Sequence, residues 1–480
     1  MKNLALACLL VTALTTGPAA GQDPAPRQLT AEESAYLQEM YPPPKPPTPQ
    51  EIAATAAHRA EVRKVLDRTA RQAVALLEDA PGPRSADARS WFGGLPRMPA
   101  GLDWPRQRST RKPMTFLAQV DLAEVPDAAR PPGMPKTGTL WFFAALDYLM
   151  EEREQVAVLY RPARREPWPE RAPPKDLGPV REDAWPYDAF PKGDPRASII
   201  LKTPMRLVAH KCYDAAADRN TFYPDQPQEL IKIFREEDLK AALGGQPRIG
   251  PSVYMSPEHG GIDWRTITKT WPPTGSDAWP QAGVFAETAA LSIPAELHTP
   301  AQDGPEWAPE GRALREQLER EARAQAATWS LRRFTPLSAG ERKAFRTWAD
   351  SVTARVEAMP REKTGGYRLA FYPEFLGKDE WHSRYSAYQV LEHGAPLEVL
   401  PEAMRQSWDW MDQPNLDQMF GYGAPVHEAA EQYRDHVLLM QLADTPSRTW
   451  TGGAVLSFWI SQEDLARGRF DRAFPTLEAN

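Results

Sequence analysis

The chain has 480 residues, of which 42% are apolar and 25% charged, with a formal net charge of −7. That length holds two or three average domains, or one large domain with insertions, in ordinary globular proportions, so core size is not limiting and no staples are needed. The acid excess and the absence of a long basic cluster argue against nucleic acid as a partner.

The first residues combine Lys2, a largely apolar run from Leu4 to Leu14 and small residues at Ala19, Ala20 and Gly21. This is the pattern of a secretory signal peptide cleaved near Ala20–Gly21, too short to span a membrane. Cys8 as a lipoprotein anchor is disfavoured, because only seven residues precede it. Without the leader, Cys212 is the one cysteine left, which excludes an intrachain disulfide. No later segment has the length of a membrane helix, so a periplasmic or secreted protein is expected, as a monomer.

Residues 22–84 read as a tether and helical extension. Thr30 and Glu33 open a short helix as a capping box, and the run from Tyr41 to Pro49 stops it. Thr48, Pro49 and Glu51 then open a helix predicted to reach Glu78, with Val62, Val65, Leu66, Ala73, Leu76 and Leu77 on one stripe. From Ser90 to about Arg161 short apolar runs alternate with glycine and proline, which is β character. Residues 162–411 read as a loop-rich and helical insertion. Its strand-like pieces are Ala197–Leu201 and Arg206–His210, and its strong helices run from about Pro309 to Arg333 and from Ser338 to Met359. Weaker helices are expected near Ser383–Glu392 and Pro401–Met411. Residues 412–475 return to β character and end in a helical turn or loop. The fold class is therefore α+β, mostly β, with one sheet built from distant N- and C-terminal segments across 85–475. Fifty prolines, roughly twice the usual share, place much of the chain in fixed turns and extended loops.

A block near the start is echoed near the end. The first copy carries S-W-F-G-G-L-P-R-M-P from Ser90 to Pro99, then Asp103–Trp104–Pro105, F-L-A-Q ending at Gln119, and G-T-L-W-F-F from Gly138 to Phe143. The second carries M-F-G-Y (Met419–Tyr422), L-L-M-Q ending at Gln441, and an F-W-I strand (Phe458–Ile460) followed by Asp464–Leu465 and Phe470–Asp471. In order and combination these segments resemble the YwqG-like family, a bacterial domain of unknown function, over about a quarter of the chain. The resemblance implies a mostly β fold with helical additions. It also marks departures: Gln418–Met419–Phe420 stands where the family often has a His before its G-Y-P segment, Gly423 replaces the proline, and His427 stands where a Gln is frequent. If that loop binds a ligand, the ligand here differs.

Gly93 and Gly94 before Pro96, with Gly138 and Gly421, read as structural corners. Gln119 and Gln441 each follow an apolar triplet, where a neutral amide braces backbone groups or, as a matched pair, lines a cleft. Five Trp-Pro pairs occur, at Trp104, Trp168, Trp185, Trp271 and Trp279. Each is a stiff aromatic plate for stacking or a plug that pins a loop to the core. The candidate binding set is Trp104, Gln119, Trp271, Tyr422, His427 and Gln441. Cys212 beside His210 lacks an identifiable third orienting group, and no G-x-S-x-G elbow is present. His259 with Asp263, or His427 with Asp435 and His436, are the nearest approaches to a metal set, and they lack the spacing of a known site. No catalytic residue, metal or cofactor is assigned. The favoured function is a noncatalytic module that binds a protein or cell-envelope ligand. The alternative is a periplasmic hydrolase of glycan or peptide using carboxylates, and a purely structural protein is the third reading.

Overall fold

The computed structural model describes residues 48–78, 88–146, 155–162, 168–181, 193–214, 227–243, 279–298, 308–360, 417–424, 429–443 and 454–478, with 187, 190, 363, 385–387, 389–390, 392–393, 399–400 and 448 between them. The chain divides into two units, Met1–His58 and Arg59–Asn480. Among its described residues the first holds only the opening of a helix, α1 (Pro49–Asp67). The second holds the sheet and the remaining helices.

Helix α1 begins where the Thr48–Pro49–Glu51 signal places it and carries Lys64 in its last turn, but it stops at Asp67 rather than Glu78. The residues beyond form a strand, β1 (Arg71–Glu78), in which all six positions from Ala73 are buried. Val74 and Leu76 point into the main core, whereas Ala75 and Leu77 pack against Leu239 of α2 (Pro227–Ala242) on the other face. A strand covered on both faces is a continuous apolar run, which periodicity alone does not separate from a buried helix. The sheet therefore begins inside the segment that the stripe assigned to a helical extension.

Nine more strands follow: β2 (Trp91–Phe92), β3 (Thr115–Asp121), β4 (Thr139–Ala144), β5 (Val156–Arg161), β6 (Thr203–Cys212), β7 (Gln418–Phe420), β8 (His436–Ala443), β9 (Val455–Ser461) and β10 (Phe474–Glu478). All pairings are antiparallel, in the order β10-β9-β8-β7-β1-β6-β2-β3-β4-β5. The sheet curls until its inner faces meet, with Phe142 of β4 against Phe458 of β9 at 5.3 Å between ring centroids. Tyr160 of β5 lies 5.1 Å from Phe470, just ahead of β10, so the two edge strands approach and the sheet is nearly a barrel. This bears out the α+β reading of one sheet made from distant segments.

The order of pairing reveals a duplication. Strands β1–β5 and β6–β10 repeat one another about the central β1–β6 pair, and each set contributes its first strand to the other set: β1 lies between β6 and β7, and β6 between β1 and β2. Trp91 faces Gln119 on one side and Pro204 on the other; Gln418 faces Gln441 and Ala75. The register skips Leu117 in the β3–β4 pair and Leu439 in the β8–β9 pair. Hydrogen bonds follow the same rule. The Asp121 amide donates to Ser90 Oγ at 2.9 Å, and the Ala443 amide donates to Asp417 Oδ1 at 2.8 Å. After each second strand the chain turns through two left-handed residues, Gly93 and Gly94 in one set and Phe420 and Gly421 in the other. The echo visible in sequence is thus the remnant of a strand-swapped repeat.

The helical layer is α3 (Gly283–His298), α4 (Pro309–Ser330) and α5 (Ala339–Glu357), packed through Leu318, Ala322, Trp329, Phe345 and Val352. Helix α5 starts at the expected capping box, with Ser338 and Glu341 each accepting from the other's backbone amide. Helices α2 and α3 fall in stretches that read as loops. Helix α3 is buried nearly all round and so has no amphipathic stripe to detect. Its Glu287 is buried but paired, with Arg196 at 2.7 Å and Arg333 at 2.6 Å.

Two short helices are α6 (Ala429–Gln432) and α7 (Gln462–Ala466); α7 is the helical alternative of the turn or loop expected after the F-W-I strand, and β10 follows it. The expected helix near 401–411 and the capping box at Thr30 lie outside the described residues.

Candidate functional site

A cavity of about 480 Å³ opens at the end of the sheet where β1 begins, β7 ends and β8 begins. Arg71, Arg130, Phe420, Arg434, His436 and Val437 are among its walls. Phe420 holds φ at 64°, a left-handed conformation that costs a non-glycine residue about 1–2 kcal/mol. Such strain persists where the surroundings over-determine it, and it gathers at functional sites.

The three arginines do different work. Arg130 is a brace: its guanidinium donates to Asp127 and to the carbonyls of Leu122, Val125 and Pro135. Arg434 forms an ion pair with the buried carboxylate of Asp214. Arg71 donates through Nη1 to the Arg434 carbonyl at 3.0 Å and lies 4.3 Å from the ring centroid of Tyr422. No carboxylate among the described residues pairs with it. Tyr422 is fixed in turn by its hydroxyl, which donates to the Thr69 carbonyl at 2.6 Å, and the Arg434 guanidinium lies 5.6 Å from the same ring. His436 stands edge-on to Tyr433 and Phe474, and its Nδ1 is buried without a hydrogen-bond partner among the described residues.

The duplication supplies an internal control for this corner. Applying the register of the repeat, Arg71 corresponds to Ile200 and His436 to Met114, both buried, while Phe420 corresponds to Gly93. At the first corner the Gly94 amide donates to the Ile200 carbonyl at 2.7 Å, and the Trp104 indole donates to the Met114 carbonyl at 2.8 Å. Equivalent positions are therefore apolar and buried in one set of strands, and polar and cavity-lining in the other. Packing needs alone would not produce that asymmetry.

The residues singled out from sequence separate into braces, plugs and cavity neighbours. Gln119 is a brace: Oε1 accepts from the Arg97 amide and the Trp141 indole, both at 2.9 Å, and Nε2 donates to the Arg89 carbonyl at 3.0 Å. Gln441 holds the matching place, accepting from the Ala424 amide at 2.7 Å. Trp104 is 7% exposed and stands edge-on to Phe143, so no ring face is open to a ligand. Trp168 packs on Trp141 and Trp279 on Phe345, which makes plugs of the described Trp-Pro pairs. Of the described members of the candidate binding set, Tyr422 is the one that contacts the cavity walls, beside Gly421, whose missing Cβ would meet Cys212 and Ala73. Trp271 and His427 lie outside the described residues, as do Trp185, His259 and Asp263. Arg71 and Arg434 were missed because arginine on a surface element carries no signal of its own. His436 was visible only as a stray histidine.

Cys212 and His210 do not form a catalytic pair. Burial pushes the thiol up, and its contacts go to the corner, with the Tyr422 amide donating to Sγ at 3.3 Å. His210 is pushed down to about 3 by burial and by the nearby Arg235, and its Nδ1 lies 2.8 Å from the Lys211 carbonyl. A neutral imidazole and an un-ionised thiol give no activated nucleophile. Among the described residues no three His, Cys, Asp or Glu side chains gather to hold a metal, and no helix is long and apolar enough to cross a membrane.

The brace role makes an expectation. Gln119→Leu leaves the Arg97 amide and Arg89 carbonyl unpaired, and Gln441→Leu does the same to the Ala424 amide, so each should cost about 1–3 kcal/mol in a urea melt. Unchanged midpoints in both variants would refute it.

A family model described as a domain of unknown function, DUF1963, matches residues 90–265 and 314–478, more than half of the chain. Both echoed blocks and the second corner fall inside it, and β1 lies outside. No curated protein matches the chain.

Proposed function

Because the chain belongs to the DUF1963 family, whose description names no activity, we propose from its geometry that it is an exported, noncatalytic ligand-binding module whose site is the cavity at the Phe420–Gly421 corner. The observation that carries this reading is the asymmetry of the repeat: one corner is sealed by Ile200 and Met114, and its counterpart is lined by Arg71 and His436 beside a strained Phe420. A cavity of this size falls within the range of small-ligand sites. Among the described residues its walls carry one carboxylate, Asp435, whereas carboxylate-based glycan hydrolysis uses a converging pair. Export rests on Lys2, the Leu4–Leu14 run and the small residues at 19–21. The likeness of the motif order to YwqG-like proteins belongs to the same reading.

The test is native mass spectrometry of the mature protein after equilibration with the low-mass fraction of a bacterial envelope extract. A bound small molecule should appear, leave unchanged on denaturation, and be lost from Ala128→Trp, which places bulk on the exposed rim of the cavity. No adduct, an adduct retained by Ala128→Trp, or release of a cleaved product would each overturn the proposal.

A further inference from the structure

Resting on the reading that this cavity is the ligand site, we infer that its ligand is an oxyanion-bearing small molecule with an apolar body, whose carboxylate or phosphoryl end is gripped by Arg71 with His436 alongside.

Charge at the walls points this way. Of the three lining arginines, Arg130 is matched by Asp127 and Arg434 by Asp214, which leaves Arg71 as the cation without a counter-ion among the described residues. Arg71 is also preorganised. One of its five donors is used on the Arg434 carbonyl and its plane is held against Tyr422, so it keeps donors for a forked grip at little further cost in side-chain freedom. Bidentate contact to carboxylate or phosphate is the geometry in which arginine outperforms a point charge.

His436 adds an independent observation. Its Nδ1 is buried without a hydrogen-bond partner among the described residues, where such an atom normally has one, and the residue itself lines the cavity. The rest of the described wall is mixed: Gln72, Asp435 and Gln462 are polar, and Phe420, Val437, Pro131 and Pro132 give the same space an apolar side. A bare inorganic ion would leave those surfaces unused, whereas an acid with an apolar body covers them. In the sister corner the corresponding positions, Ile200 and Met114, offer no grip for an anion.

The experiment is isothermal titration calorimetry at low ionic strength with two probes, inorganic phosphate and hexanoate, which separate a phosphoryl from a carboxylate preference. At least one should bind. Arg71→Gln should weaken it about tenfold or more, Arg71→Lys should recover part of the loss, and Arg106→Gln, a surface arginine paired with Asp176, should leave it unchanged. If Arg71→Gln does not fold, His436→Leu and Arg71→Lys decide the matter, since both must weaken binding. Absence of heat with both probes, or equal weakening by Arg106→Gln, would overturn the inference. A cavity-dependent neutral adduct in native mass spectrometry, with neither probe bound, would sink the oxyanion assignment and leave the binding module standing.

Discussion

Arg448→Met should lower the unfolding free energy by about 3–5 kcal/mol, because it removes a buried cation that pairs with two buried acids. Arg448 and Asp417 are fully buried and Glu78 nearly so. The guanidinium reaches Glu78 from Nε at 3.3 Å and from Nη2 at 3.2 Å, contacts Asp417 through Nη2, and lies 3.9 Å from the ring centroid of Phe92. The cost arises from what stays behind, since a buried carboxylate that loses its guanidinium keeps its desolvation penalty with less to offset it. Burial already pushes the Asp417 carboxyl up and Arg448 opposes that rise; without the arginine the rise is larger.

The sign of the pH dependence follows. A carboxyl whose folded pKa exceeds its unfolded value binds more protons in the folded state between the two, so stability grows as pH falls through that window. Arg448→Met should therefore regain stability, relative to the parent, as urea melts move from pH 7 towards pH 5. The triple variant Arg448→Met, Asp417→Asn, Glu78→Gln should recover much of the loss at pH 7, because Asn can still accept from the Ala443 amide as Asp417 does at 2.8 Å. A single variant whose deficit is the same at both pH values would rule out an uncompensated carboxylate as its cause.

Local signals account for what sequence makes legible here. Capping residues place α5, and the proline at the start of α4 places that helix, because these devices act within one turn. The echoed blocks carry the sheet, since Gln119 and Gln441 fill one position of a repeated bracing scheme. Elements buried on every side are harder to read. Strand β1 and helix α3 both present near-continuous apolar runs, and what distinguishes them is the partner that covers each face, which is fixed only in the folded chain. The site is harder again. Arg71 and His436 lie in different strands more than three hundred positions apart, and their meaning comes from a comparison with Ile200 and Met114 that requires the register of the repeat.

That register also makes the first corner the place where a single methyl group should do most damage. Gly93 has φ of 59°, and a Cβ there would lie 2.4 Å from the Leu201 carbonyl oxygen and 2.6 Å from that of Ile200. The Ile200 carbonyl is held in place by the Gly94 amide, which donates to it at 2.7 Å, and the Gly93 amide donates to the Leu117 carbonyl at 2.8 Å, which ties the turn to β3 and to the segment leading into β6. The dihedral alone is survivable, since Phe420 holds nearly the same value at the equivalent place. Gly93→Ala should accordingly cost about 2–5 kcal/mol, the left-handed strain plus the overpacking. Two other glycines separate these contributions. Gly468 has φ of 67°, and a Cβ added there would meet nothing within 4 Å, so Gly468→Ala reports the strain, at about 1–2 kcal/mol. Gly101 has open space and no left-handed dihedral, so Gly101→Ala should be within about 0.5 kcal/mol of the parent. Urea midpoints of the three variants should fall in that order, and a Gly93→Ala protein no less stable than Gly468→Ala would show that the corner yields and that the sealed end of the repeat is not rigid.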